Sequence, residues 1–105
     1  MKIKYDLEID NDVILNDIKK IINQIYRLLP SREEYLDWES PLNTVIIELC
    51  GMNRLLNIRP DIFFSLLCKL EGLYDLKEEE DFFSFRRTIF ECLSLCNSLK
   101  EAVNE

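Results

Sequence analysis

Residues 82–103 read FFSFRRTIFECLSLCNSLKEAV, and their spacing decides the fold. Phe82, Phe85, Ile89, Cys92, Leu93, Cys96, Leu99 and Val103 recur at intervals of three and four. Residues so spaced lie on one face of an α-helix. The stretch therefore predicts a long amphipathic helix running from about Glu78 to Val103. One apolar face is only half of an interface, and it must be buried against other elements.

Those elements are legible on the N-terminal side. Pro60–Asp61 opens a helix with Ile62, Phe63, Leu66, Leu67 and Leu70 inward, fading near Gly72. Ser40–Pro41 reads as a cap and first residue of another, which carries Leu42, Val45, Ile46, Leu49, Met52 and Leu56. Gly51 interrupts that helix and suggests close approach of a neighbour. From about Asp12, the residues Ile14, Ile18, Ile21, Ile25 and Leu28 form a narrow stripe. Pro30 is expected to end this helix. Ser31 and Glu34 then read as a capping box for a short helix, REEYLDWE, at 32–39. The wide stripes of the third, fourth and last helices predict that these three share the centre.

Residues 1–10, MKIKYDLEID, alternate strictly between apolar and charged, the pattern of a half-buried strand. A lone strand needs partners for its backbone. It can pair through residues 1–9 with the same strand of a second copy in a homodimer, add to a partner's sheet, or lie along the bundle as an extended arm. The expected fold is all-α: a small bundle of about four to five helices with a short extended or β-like N-terminal segment. Residues 1–105 read as a single domain, with 1–10 extended and 11–105 helical.

The chain has 20 acidic and 13 basic residues, a formal net charge of -7, and no histidine. An acidic surface repels nucleic acid and anionic lipid unless bases concentrate on one face. Lys19, Lys20, Arg27, Arg32, Arg54, Arg59, Arg86 and Arg87 were the residues available for such a face, with few aromatic side chains interleaved. Nucleic acid is disfavoured as a partner. No segment has the length and apolarity of a membrane span, and no apolar leader is visible at the start. This implies a cytoplasmic protein with Cys50, Cys68, Cys92 and Cys96 reduced. Each cysteine falls on or near a core stripe, and no zinc-type spacing is present, so packing is the expected role and no cofactor is implied.

The absence of histidine removes the commonest general acid–base and the triads built on it. Gly-rich phosphate loops are absent as well, so the chain reads as not an enzyme. The alternative is a Mg²⁺-dependent all-helical nucleotide pyrophosphohydrolase using Glu34-x-x-Asp37 and Glu78-x-x-Asp81. A third reading is a small nucleic-acid-associated subunit using a local basic face.

The preferred expectation is a non-catalytic acidic module that binds another, basic protein. It would act as a regulator or inhibitor, of the adaptor, immunity, antitoxin or mobile-element kind. Residues 71–81 carry six acids (Glu71, Asp75, Glu78, Glu79, Glu80, Asp81) against Lys77 alone. Carboxylates at a helix start are stabilised by the unpaired N–H groups there. Beyond that, Glu78, Glu79, Glu80 and Asp81 form a negative field. Phe83, Arg86 and Phe90, a quarter-turn off the core face, stand ready as anchors for a partner.

Overall fold

The computed structural model describes residues 9–56 and 58–104. The protein is an all-α bundle. Its helices are α1 (Asn11–Tyr26), α2 (Leu28–Glu33), α3 (Glu39–Leu55), α4 (Pro60–Gly72) and α5 (Phe82–Asn104), with 3-10 turns at Leu73–Asp75 and Glu79–Asp81. Helix α1 begins where the Asp10 carboxylate accepts the Asp12 N–H at 2.9 Å. Pro60 at the first position of α4 has no N–H to leave unpaired. No described helix is long and apolar enough to cross a membrane.

The four long helices form a ring in which α1 packs on α5, α5 on α4, α4 on α3 and α3 on α1. Neighbours run antiparallel. Asn11 Nδ2 donates to the Val103 carbonyl at 3.2 Å, joining the start of α1 to the end of α5. Lys69 of α4 pairs with Glu91 of α5 at 2.9 Å. Trp38, just before α3, stacks on Tyr74, just after α4, with ring centroids 6.3 Å apart. The α1 stripe of Ile14, Ile18, Ile21 and Ile25 is buried, as are Leu42, Val45 and Leu49 of α3. Phe63, Leu66 and Leu70 of α4 meet Phe85, Ile89, Cys92, Cys96 and Leu99 of α5 in the same cluster. Each such side chain contributes about 1.5–3 kcal/mol by leaving water, the main force against chain entropy. The centre is thus shared by four helices rather than three, because the α1 stripe is narrow but wholly buried.

Several boundaries differ from the periodic reading. Helix α1 stops at Tyr26, and Pro30 lies inside α2 rather than ending a helix. As the third residue of α2, proline gives up an N–H that has no partner within the helix. The expected helix over 32–39 does not form. Glu34 is instead the C-cap of α2, and the Ser31–Glu34 capping box is replaced by a helix stop. Ser40 does not cap α3. The Asp37 carboxylate does, accepting the N–H groups of Glu39 and Ser40, each at 3.1 Å, so α3 starts two residues before Pro41. A β-carbon at Gly51 would meet nothing within 4 Å, so no neighbour approaches there. Cys92 and Cys96 are buried, but Cys50 is only half-buried and Cys68 is exposed. The expected strand over 1–10, and with it the homodimer through residues 1–9, lies outside the described residues except for Ile9, which is partly buried against the core, and Asp10, which caps α1.

Two outcomes follow from these local details. Gly51→Ala removes backbone freedom from the unfolded chain without a clash, so it should stabilise by about 0.5–1 kcal/mol in urea unfolding. The Asp37 carboxyl is held below its ordinary value of 3.8, chiefly by the Ser40 N–H and then by the Ser40 hydroxyl. A depressed folded-state value means that the cap stabilises fully above pH 3.8 and is lost as pH falls through the lowered value. Asp37→Ala should therefore melt below the parent at neutral pH, and thermal scans should show the gap closing below pH 3.8.

Candidate functional site

The site is assembled where α2 ends against the connection between α4 and α5. The Tyr35 N–H donates to the Arg32 carbonyl at 3.2 Å and the Leu36 N–H to the Ser31 carbonyl at 2.8 Å. This paired closure is a Schellman stop, and it needs a left-handed residue at its C′ position. Tyr35 supplies it with φ 59°, a conformation that costs a residue bearing a β-carbon. The strained turn leaves the Tyr35 and Leu36 side chains exposed beside the buried Trp38.

Arg32, on the last turn of α2, is the one buried charged residue among those described. Its Nε and Nη2 both donate to the Leu76 carbonyl, at 3.1 and 2.9 Å. Nη2 donates again to the Glu78 carbonyl at 2.6 Å. The guanidinium lies over the Phe85 ring at 4.9 Å and the Phe82 ring at 5.5 Å. Trp38 meets Phe85 edge-on at 5.1 Å. A fork of donors thus ties the 76–78 backbone to α2 while aromatic faces stabilise its charge.

The acids follow directly. Glu79, Glu80 and Asp81 form the 3-10 turn that leads into α5, so the long helix begins at Phe82 and not at Glu78. Glu78, Glu79 and Glu80 are exposed and Asp81 is half-buried. Glu79 accepts from the Tyr35 hydroxyl at 2.6 Å. That hydrogen bond to a carboxylate favours the protonated phenol and pushes the Tyr35 pKa up. Lys77, the lone cation of the segment, lies 3.5 Å from Glu39. One turn further on, Phe83 is 78% exposed, meeting Phe82 edge-on at 6.0 Å. Phe90 is 45% exposed, with the Arg86 guanidinium over its ring at 5.6 Å. All seven residues singled out from the sequence thus lie on the 78–90 stretch. The acids cluster in the turn, and the aromatic pair with Arg86 lies on the outward side of α5.

A cleft of about 510 Å³ opens between α2 and this turn, lined by Arg32, Glu33, Tyr35, Leu36, Trp38, Lys77, Glu79 and Phe82. Of its lining residues only Glu79 was singled out from the sequence. Arg32 counted there as a surface base, and the positive φ of Tyr35 leaves no mark when the residue is not glycine. The lone tryptophan, Trp38, was the available signal.

Other candidates disperse. Glu34 and Asp37 lie on opposite sides of the Tyr35 reversal, not one turn apart on a helix. Among the described residues no group of three or more His, Cys, Asp or Glu side chains is placed to hold a metal ion. Burial pushes the Cys92 and Cys96 thiols up to about 12, which keeps them protonated at neutral pH. Arg59 pairs with Asp61 and Arg87 lies near Glu91, so these bases sit in mixed surroundings rather than on one positive face.

Replacing Arg32 by leucine would strand the Leu76 carbonyl, while the Glu78 carbonyl keeps the Asp81 N–H at 3.0 Å. Arg32→Leu should cost about 1–3 kcal/mol, the range for buried polar groups left unpaired. Hydrogen exchange should speed up first in residues 76–81, ahead of the helix centres. Comparison with known protein families, with curated proteins and with solved structures finds no match to this chain, so its geometry alone carries the functional reading.

Proposed function

We propose that the protein is a non-catalytic binding module whose partner is another protein with a basic contact surface, and that it acts by regulating or inhibiting that partner. The observation that carries this reading is the exposed Phe83 beside an acidic turn. Its ring is 78% exposed one turn after Glu79 and Glu80. A large aromatic in water at the edge of a concentrated charge has the make-up of an interface anchor with a steering rim. Phe90 and Arg86 extend the same side of α5, and aromatics with arginine are enriched where partners bind. The four free cysteines fit work in the reducing cytoplasm.

Carboxylates of this kind speed encounter more than they tighten the complex, and salt screens them. The aromatic pair would govern how long the complex lasts. Affinity capture with the parent chain, beside a Phe83→Ser/Phe90→Ser variant and a Glu79→Gln/Glu80→Gln/Asp81→Asn variant, tests this. The expected result is a protein held by the parent and lost by the aromatic variant. The neutralised variant should bind it about tenfold more slowly at low salt and near-normally at high salt. Equal retention by all three folded chains would remove this surface from consideration. Magnesium-dependent nucleotide hydrolysis that disappears in the neutralised variant would replace the reading with an enzymatic one.

A further inference from the structure

Arg32 does more than its anchoring role requires. It is only 9% exposed, yet among the described residues no carboxylate forms an ion pair with it. Backbone carbonyls satisfy Nε and Nη2, but they carry no net charge to offset the cation. A buried charge without a counter-ion is costly, and its field reaches whatever enters the space beside it. Nη1, with two N–H donors, makes no hydrogen bond among the described residues. The side chain bearing it lines the cleft between α2 and the acidic turn.

The walls of that cleft say what kind of anion fits. Trp38, Phe82 and Leu36 offer apolar surface, and about 510 Å³ is the size of a small-ligand site. Lys77 stands among the lining residues as a second cation, and Glu33 and Glu79 are carboxylates there. Two negative rim groups oppose a multiply charged anion such as a phosphate monoester. A single negative charge meets Arg32 with less repulsion. Glu79 is also occupied by the Tyr35 hydroxyl, which fixes it at the edge. Arg32 itself is pre-set by three hydrogen bonds and two aromatic faces, so binding would lose little of its side-chain freedom.

We propose that the cleft over Arg32 is a receptor for a monocarboxylate carried on an apolar or aromatic group. The carboxylate takes Nη1 of Arg32, and the apolar part lies against Trp38, Phe82 and Leu36. The group can belong to a free small acid or to the C-terminal residue of a peptide. The site shares Glu79 with the acidic turn but not Phe83, Arg86 or Phe90, and it calls for a ligand of the opposite charge, so the aromatic variant and the carboxylate probes test the two independently.

Trp38 is the only tryptophan in the chain and lines the cleft, so its fluorescence reads occupancy directly. The probes are 3-phenylpropionate and its neutral amide, and a short acetylated peptide ending in phenylalanine as the free acid and as the amide. A saturable change in Trp38 emission is expected with the carboxylates, with the amides at least about tenfold weaker for want of a charge-assisted bond. Tighter binding of the peptide acid than of 3-phenylpropionate assigns the site to a chain terminus, and the reverse order to a small acid. Leu36 and Lys77 are exposed, so Leu36→Glu and Lys77→Glu should keep the parent's melting curve and weaken the carboxylate about tenfold. The absence of any saturable response to both carboxylates, or an equal response to acid and amide, would overturn the proposal. Unchanged binding in both folded rim variants would do the same.

Discussion

The join between α4 and α5 depends on a single guanidinium. Between α4 and α5 the chain makes two 3-10 turns; the Glu78 carbonyl accepts the Asp81 N–H of the second, but the Leu76 carbonyl between them has no backbone donor among the described residues. The donor for Leu76 therefore comes from a side chain elsewhere in the protein. Arg32 reaches across from α2 and supplies three hydrogen bonds to Leu76 and Glu78. The angle at which α5 enters the bundle depends on that tie. So does the placement of four successive acids, whose mutual repulsion would otherwise spread the turn.

The same residue accounts for the division of this end of the molecule into two surfaces. On the side facing α2, a positive charge lies under aromatic walls. On the outer side of α5, the carboxylates and Phe83 face solvent. A connection of nine residues thus has one positive and one negative environment within a few residues of each other. Chain topology places them so closely because α2 is too short to do anything but deliver Arg32 and reverse direction at Tyr35.

The helices themselves were legible because the core recurs with the helical period. The stripe residues from Ile14 to Ile25, Ile62 to Leu70 and Phe85 to Val103 are buried where their spacing places them, except Leu67 and Leu93, which are half-buried. The ends were less legible, because several side chains compete to stop or start a helix. Pro30 is as acceptable in a first turn as beyond a last one. Asp37 and Ser40 are both good caps, and tertiary position chose the aspartate. A cysteine near a stripe in sequence says little, since Cys68, between Leu66 and Leu70, lies on the opposite face of α4 and is exposed. The outward residues of the site, Phe83, Arg86 and Phe90, could be found by their offset from the α5 stripe. The cleft could not, because it depends on a long-range arginine and a left-handed tyrosine, and neither has a periodic mark.

The clasp between Asn11 and Val103 closes the ring across 92 residues of chain. The α3–α4 and α4–α5 pairs join neighbours in sequence, so their loop-closure entropy is small. The α1–α5 seam joins the extremes, and a long loop must be closed before its contacts are gained. That seam is the least local in the ring, and it is also the most extensive, so it is gained against the largest loop and held by the broadest packing. Swinging α1 away from α5 and α3 would open the common core in which Cys92 and Cys96 are buried, two thiols unreactive while it is shut. Their rate of alkylation would then serve as a clock for that opening. A rate equal to that of global unfolding would show that the ring opens only as a whole.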